Sequence, residues 1–302
     1  MVLNKFIGLV AGCFLGGAVQ AEVIMTPLPD LTPGSIGVDT VFDAHIWGKD
    51  PSANQIIKQI RQAAEVPFND SEREILRQIL LTDVGGISAL ASESDSFLKV
   101  RLQTLMAQGL FEDVLRLIDR IPERDKNPDL IQMQTAALFA SGRIKEACSD
   151  DRLGAFGADE SFLRVVCAEE IGVPPAAAFA YEVYRESGAD THEFLNAAGE
   201  YLYRDINRDM PSGHPSVFEL PIAAKVWGID IFDLPLNRGD YVLLSGLERI
   251  PHEVRLKAVS SLTQPVGDSV TADETLLERL IRLSHARRLV EQQLPHREHS
   301  PE

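Results

Sequence analysis

The sequence predicts an all-α fold of stacked helix pairs, and the first observation that predicts it is a recurring segment. Ser96–Val100 reads Ser-Phe-Leu-Lys-Val, and Ser161–Val165 reads Ser-Phe-Leu-Arg-Val. Further apolar residues lie between and beyond these two segments at the same interval. The four apolar anchors, spaced 33, 32 and 32 residues apart, are Phe97, Leu130, Phe162 and Phe194. A period of about 34 residues is typical of helix-turn-helix repeats.

The second observation is glycine punctuation, and the third is composition. Gly109, Gly142 and Gly172 each follow an apolar-periodic segment, which is where glycine ends a helix. The chain is 45% apolar and 25% charged, a balance that supports a folded core. Its net charge of −16 is spread along the sequence. This charge argues against nucleic-acid binding, which needs a stripe of Lys and Arg, and gives no reason to expect adhesion to anionic lipid.

Residues 1–21 are predicted to be a signal peptide. Lys5 supplies a positive start, an apolar run follows, and Val19-Gln20-Ala21 is a small-residue site with cleavage after Ala21. We therefore expect a periplasmic protein with no further membrane span. The alternative is a lipoprotein anchored through Cys13, because Val10–Cys13 resembles a lipobox. That reading leaves an apolar region shorter than the usual minimum of about seven residues.

The two cysteines that remain after cleavage, Cys148 and Cys167, are predicted to form a disulfide. An exported chain meets an oxidising compartment, and an even cysteine count favours pairing. The two residues fall near the end of one predicted helix and within the next. The alternative is a pair of small buried thiols.

The N-terminal third is divided into a leader and a helical hairpin. Residues 22–50 are rich in Pro and Gly, which predicts an extended leader. Residues 51–93 are predicted to hold two helices. Asp50 should cap the first helix, and a capping box from Ser71 to Glu74 should open the second.

Residues 94–208 are predicted to be the repeats, each with two helices. The predicted helices of the three full units and the final half-unit are 95–108 with 111–121, 128–141 with 143–148, 159–171 with 174–187, and 191–203. Residues 209–294 are predicted to be a C-terminal helical region with helices at 216–227, 241–250, 251–262 and 271–294. Residues 229–236 should form a buried connector, and 295–302 a disordered tail.

The repeat spacing resembles that of the tetratricopeptide repeat family. Gly142 and Gly172 are each followed after five residues by an alanine, Ala147 and Ala177, as the family's pattern has it. Gly109 keeps the spacing, but valine replaces the alanine. Leu98 and Leu102 occupy positions where the family has aromatic and small residues. The chain is also similar to a group of exported helical-repeat proteins of bacteria, a resemblance that implies no particular activity. What the family resemblance implies is a helical solenoid that binds other proteins.

No catalytic or metal-binding pattern stands out, so the sequence predicts a non-enzyme with no cofactor and no metal. His192-Glu193 lacks the second histidine of a zinc-protease helix. His285, His296 and His299 could form a metal clip, but a solvated tail is the favoured interpretation. Glu193 and Glu200 are the candidate carboxylates for a glycan-cleaving enzyme, although their spacing is that of any amphipathic helix.

The remaining hypothesis is binding along a groove. Stacked helix pairs curve into an array whose groove is lined by the first helix of each unit. The predicted groove-lining residues are Lys99, Arg101, Gln103, Gln132, Gln134 and Arg164. Ordinary exposed positions would look the same. We therefore expect an exported scaffold or adaptor that binds an envelope protein or peptide, and we do not expect a small-molecule ligand. An accessory chaperone of an envelope machine and a cell-wall glycan-acting or glycan-binding protein are the alternatives.

Overall fold

The structure, a computed structural model, describes residues 36–38, 52–66, 68–84, 93–122, 124, 127–188 and 191–262. These residues form an all-α fold without strands, in which consecutive helices pack in pairs, as predicted. Four predictions lie outside the described residues: the signal peptide 1–21, most of the leader, the helix 271–294 and the tail 295–302.

Thirteen α-helices and two 3-10 segments occupy the described residues. The helices are α1 Ala53–Glu65, α2 Asp70–Leu81, α3 Ser94–Ala107, α4 Phe111–Asp119, α5 Pro128–Ala140, α6 Ile144–Ala147, α7 Asp150–Leu153, α8 Glu160–Ile171, α9 Pro174–Glu186, α10 Glu193–Arg204, α11 Leu220–Trp227, α12 Arg238–Gly246 and α13 His252–Leu262. The 3-10 segments are Gly154–Asp159 and Gly228–Asp233.

The four periodic anchors occupy equivalent places. Phe97, Leu130, Phe162 and Phe194 lie within the first four residues of α3, α5, α8 and α10, and all four are buried. These helices are the first members of the pairs α3–α4, α5–α6, α8–α9 and α10–α11. In three of the pairs, a glycine with left-handed backbone joins the first helix to the second, with φ of 73° at Gly109, 80° at Gly142 and 84° at Gly172. The recurrence in sequence is therefore a recurrence of buried first turns.

Both helix starts in the N-terminal hairpin differ from the prediction. Ser52, rather than Asp50, caps α1, and its Oγ accepts a hydrogen bond from the Gln55 amide at 3.2 Å. The capping box of α2 is formed by Asn69 and Glu72, two residues earlier than predicted. Asn69 can take this role because its backbone is extended and its side-chain oxygen can accept from the first turn of α2.

A buried polar stripe on α3 attaches the N-terminal hairpin to the repeats. Thr104 donates to the Ile60 carbonyl at 3.1 Å, and Gln108 donates to the carbonyls of Ala63 and Val66 at 3.0 Å each. All three acceptors belong to the last two turns of α1 or to its C-cap, Val66, where the regular backbone hydrogen bonding of the helix comes to its end. The side chains of α3 therefore replace water at the end of α1.

Arg101 extends this stripe and lies in the core, not in a groove as predicted. Its guanidinium is fully buried and donates to three carbonyls, those of Leu80 at 2.7 Å, Ile36 at 3.0 Å and Thr82 at 3.2 Å. Burial lowers the pKa of Arg101 to about 10, and the charge of Asp83 opposes this shift. The group therefore stays protonated at neutral pH. It links the end of α2 to the described part of the leader.

The second unit departs from the regular pair because α6 has only four residues. The short α7 and the 3-10 segment Gly154–Asp159 follow before α8 begins. The predicted disulfide is confirmed: Cys148, the C-cap of α6, is bonded to Cys167 on α8, with 5.7 Å between their Cα atoms. This covalent link fixes a helix that is too short to hold itself in place by packing.

The C-terminal region folds back onto the repeats. Helix α12 packs against α3 and α5, and it contacts α3 closely where Gly239 meets the Met106 carbonyl. A Cβ atom on Gly239 would lie 2.2 Å from that oxygen, so only glycine fits there.

The boundaries of this region differ from the predicted ones. Helix α11 begins at Leu220 instead of 216, because proline is accepted in a first turn and Pro221 then occupies it. Helix α12 spans Arg238–Gly246 instead of 241–250, because the side chains of Asn237 and Asp240 form a capping box. The predicted connector is a 3-10 segment in which Ile231 is buried and Ile229 is exposed.

Arg101→Met should lower the free energy of unfolding by about 3 kcal/mol or more, because it leaves three carbonyls without donors in the core. Urea denaturation measures this change. Arg185→Ala, which removes an exposed arginine paired with Glu182, is the control and should cost less than about 1 kcal/mol. An equal effect of the two substitutions would contradict the stripe's role.

Replacing both disulfide cysteines, Cys148→Ser with Cys167→Ser, should lower the free energy of unfolding by about 3 kcal/mol, since the bond restricts the unfolded chain. Denaturation without reductant measures the loss. Reductant should destabilise the wild type by a similar amount and leave the double variant unchanged. A reductant effect on the double variant would show that another thiol is responsible.

Candidate functional site

The candidate site is a cavity of about 660 Å³ between the repeats and the returning C-terminal region. Its floor is apolar and comes from two first helices. These floor residues are Leu98, Leu102 and Met106 of α3 and Leu130, Met133 and Ala136 of α5. Phe156, Val217 and Phe218 form the opposite wall. The cavity therefore combines the predicted groove surface with a wall from a distant part of the sequence.

An aromatic cluster holds the opposite wall in position. Phe218 is buried and meets three rings edge-on, with centroid distances of 5.2 Å to Phe139, 5.9 Å to Phe156 and 6.4 Å to Phe162. Edge-to-face contacts of this kind add to the stabilisation that burial itself gives. Residues 214–218 are thus anchored to α5, to α8 and to the 3-10 segment between them.

His214 closes one side of the cavity through two hydrogen bonds. Its Nε2 lies 2.9 Å from Asp240 Oδ2, and its Nδ1 lies 2.7 Å from the Pro215 carbonyl oxygen. The Pro215 carbonyl and the ionised Asp240 carboxylate can only accept hydrogen bonds. An imidazole ring that carries a proton on each nitrogen therefore satisfies both contacts. The hydrogen bond to Asp240 holds the pKa of His214 above its ordinary value, while partial burial opposes the shift.

Asp240 also belongs to the capping box of α12. The Asn237 amide donates to Asp240 Oδ2 at 2.7 Å, and the Asp240 amide donates to Asn237 Oδ1 at 3.0 Å. One buried carboxylate therefore positions both the start of α12 and the loop that carries His214. Two walls of the cavity share this group.

The cavity rim carries charges of both signs. Asp95, Lys99 and Asp129 are exposed lining residues, and the pair of His214 with the buried Asp240 also lines the cavity. Lys99 and Asp129 approach to 4.0 Å across the gap between α3 and α5, and both side chains are exposed. Because opposite charges are interspersed, the rim has no strong preference for one sign, and the apolar floor defines the chemistry of the site.

The structure brings three of the six predicted groove residues to this cavity. Lys99, Gln103 and Gln132 line it, and Gln132 also donates to the Ala155 carbonyl at 3.0 Å. Arg101 lies on the opposite side of α3, where the N-terminal hairpin covers it. The periodicity of the repeat sequence could not reveal that the hairpin packs on this side of α3.

The other two predicted groove residues lie away from the cavity. Gln134 accepts a hydrogen bond from Arg152 at 2.8 Å. Arg164 pairs with Glu160 at 2.7 Å and with Asp150 at 3.4 Å. Both side chains are thus already engaged by neighbouring polar groups.

Sequence reasoning missed the wall residues His214, Phe218 and Asp240. The pattern Asn237-x-x-Asp240 is a capping signal that was present in the sequence. No local signal, however, places these residues against α3 and α5, more than 70 positions earlier in the chain. Their role depends on the return of α12.

The candidate carboxylates of a glycan-cleaving enzyme lie apart from the cavity. Glu193 is exposed, and Glu200 is paired with Arg208. The hydrogen bond from Arg208 holds the pKa of Glu200 below its ordinary value. A general acid needs a raised pKa, so this environment favours the opposite state.

The histidines do not form a metal centre in the described part of the chain. His192 stacks on Phe162 at a ring distance of 3.6 Å, with its Nε2 3.3 Å from Asp159. Within that part, no group of three His, Cys, Asp or Glu side chains is arranged to hold a metal ion. The possible metal clip of His285, His296 and His299 lies outside the described residues. No helix among the described residues is both long and apolar enough to cross a membrane.

Comparison of the chain with protein-family models, with curated proteins and with solved structures gives no match in any of the three.

The His214 contact should make stability depend on pH. Because the folded-state pKa lies above the ordinary 6.5, protonated His214 stabilises the fold fully below that value. This contribution is lost as pH rises through the raised pKa. The stability difference between wild type and His214→Gln should thus be larger near about pH 5 than near about pH 9, as measured by urea denaturation. His252→Gln, at an exposed histidine, is the control, and a pH-independent difference for His214→Gln would refute the interaction.

Proposed function

We propose that this chain is a non-catalytic exported scaffold or adaptor of the tetratricopeptide-like class, and that its cavity binds an apolar segment of an envelope protein or peptide. One observation carries the proposal: α3 and α5, the first helices of successive units, form the apolar floor of a cavity of about 660 Å³. This size falls within the range of about 300–1,000 Å³ that is typical of ligand sites.

The composition of the floor supports an apolar side chain as the bound group. Met106 and Met133 lie on the two floor helices, α3 and α5, and methionine adapts its shape to different apolar partners. Gln103 and Asn127 are exposed lining residues, and their side-chain NH2 groups can donate to main-chain carbonyls of a peptide. An apolar centre with a polar rim is the usual anatomy of a protein-binding site.

One sequence feature and one structural feature support an exported protein. The predicted signal peptide directs the chain out of the cytoplasm, and the Cys148–Cys167 disulfide is stable in an oxidising compartment. A partner in the cell envelope is the corresponding expectation.

Ala136→Trp should block binding, since it fills the cavity from a half-buried position on α5. Partners are first identified by crosslinking the purified chain to detergent-solubilised envelope, and the affinity of the identified partner is then measured. The Kd should rise at least about tenfold in Ala136→Trp, which corresponds to about 1.4 kcal/mol.

Ala158→Trp, at an exposed alanine outside the cavity, is the matched control and should bind like the wild type. Equal affinities of the two variants would reject the cavity as the site. Incubation with cell-wall glycan tests the enzyme alternative: cleavage that Glu200→Gln abolishes would replace the adaptor proposal.

A further inference from the structure

A second apolar depression, of about 460 Å³, lies on the outer side of the repeats, away from the cavity proposed as the binding site. Its main wall is one stripe of α9, formed by Ala176, Phe179, Ala180 and Val183. These positions follow the i, i+3, i+4, i+7 spacing of a single helix face. The rest of the lining comes from Cys148, Asp150, Leu153, Ser161, Arg164, Cys167, Ala168, Ile171 and Val173. We call the α9 residues the outer stripe.

The short α6 explains why this stripe is open. In stacked helix pairs the second helices lie next to each other, so each covers one face of the following one. Helix α4 has nine residues and α9 has 13, but α6 has four. A second helix of ordinary length would lie along the outer stripe. Its absence leaves the Phe179 side chain 73% exposed, the highest value among the large apolar residues of the described chain.

The surroundings of the outer stripe carry an excess of negative charge. Glu182 and Glu186 are exposed on α9 along one side of the stripe, and Asp150 is exposed at the rim. Arg164 also lies at the rim, but Glu160 and Asp150 both pair with it. Arg185 pairs with Glu182 from the far side of α9. The four carboxylates thus outnumber the two guanidinium groups that pair with them. An apolar occupant with basic residues beside its apolar face complements this surface.

The chain itself contains a segment of that chemistry in residues 271–294. Its predicted helix has an apolar stripe at Leu276, Leu277, Leu280, Ile281 and Leu283. Its acidic residues lie mainly near its start, whereas the stretch 279–290 has no carboxylate and four arginines, Arg279, Arg282, Arg287 and Arg288. The basic half of the segment thus matches the acidic surroundings of the outer stripe.

The chain passes beside the depression shortly before the described residues end. Arg249 donates to the carbonyl of Ile171, a lining residue, at 3.2 Å. Helix α13 begins three residues later, extends for about 16 Å and ends beside the C-terminal end of α1. Residues 263–270 then span at most about 28 Å before the predicted helix begins. Because this link is longer than α13, it can bring the segment back along the helix to the depression. The tether also gives the segment a high local concentration there.

We propose that residues 271–294 dock on the outer stripe of α9 and occupy the place that a full-length α6 would take. The segment then supplies the helix that the second unit lacks. Its arginines lie beside Glu182, Glu186 and Asp150, and its leucines cover Phe179 and Val183.

Limited trypsin digestion of the purified full chain tests this docking, because trypsin cuts after arginine and a docked segment is protected until it opens. Cleavage after Arg279, Arg282, Arg287 and Arg288 is followed by mass spectrometry. Phe179→Asp should accelerate this cleavage at least about tenfold, since proteolysis follows the population of the open form. Glu182→Lys combined with Glu186→Lys should accelerate it in the same direction. Circular dichroism confirms that each variant keeps its helical fold.

Leu256→Asp is the matched control, because Leu256 is a 55% exposed leucine on α13, the helix that precedes the segment. It should leave the cleavage rate unchanged. Acceleration by Leu256→Asp but not by Phe179→Asp would place the segment on α13 and overturn the proposal. Wild-type cleavage as fast as that of Phe179→Asp would also overturn it. Protection that appears only at higher protein concentration would assign the stripe to a second copy of the chain.

Discussion

The buried guanidinium of Arg101 is the interaction on which the rest of the structure depends. It supplies donors to carbonyls at the end of α2 and in the leader, at a place that water does not reach. Thr104 and Gln108 do the same for the end of α1. Buried carbonyls without donors are costly, so these contacts fix the position of α3 against the N-terminal hairpin. The opposite side of α3 is the floor of the cavity, and the geometry of the candidate site therefore follows from the attachment of the hairpin.

The cavity is a composite of near and distant parts of the sequence. The repeats supply its floor, and the returning C-terminal region supplies its wall through Phe218, His214 and α12. Asp240 connects the wall elements, because its carboxylate serves both the capping box and the histidine. Without this return, α3 and α5 would present an open groove. The wall turns that groove into a cavity of defined volume.

The short α6 is the other constraint with wide consequences. It interrupts the row of second helices, and the disulfide to α8 holds the remaining turn in place. The interruption exposes the outer stripe of α9, whereas the cavity on the opposite side of the array stays intact. The two apolar surfaces thus have separate origins. One follows from regular stacking of first helices, and the other from the loss of a second helix.

The sequence by itself determined the fold class, the phase of the first helices and the disulfide, because these depend on local periodicity and on spacing along the chain. Phe97, Leu130, Phe162 and Phe194 could be identified as core residues for that reason. Lys99, Gln103 and Gln132 line the cavity because they lie on the same first helices. Arg101 was misplaced, since an arginine on a helix looks exposed until the carbonyls that bind it are known. Only the tertiary structure decided that α1 and α2 cover one side of α3 and that α12 returns to the other. The physical reason is that side-chain donors and acceptors far apart in the chain satisfy each other only when the elements have packed.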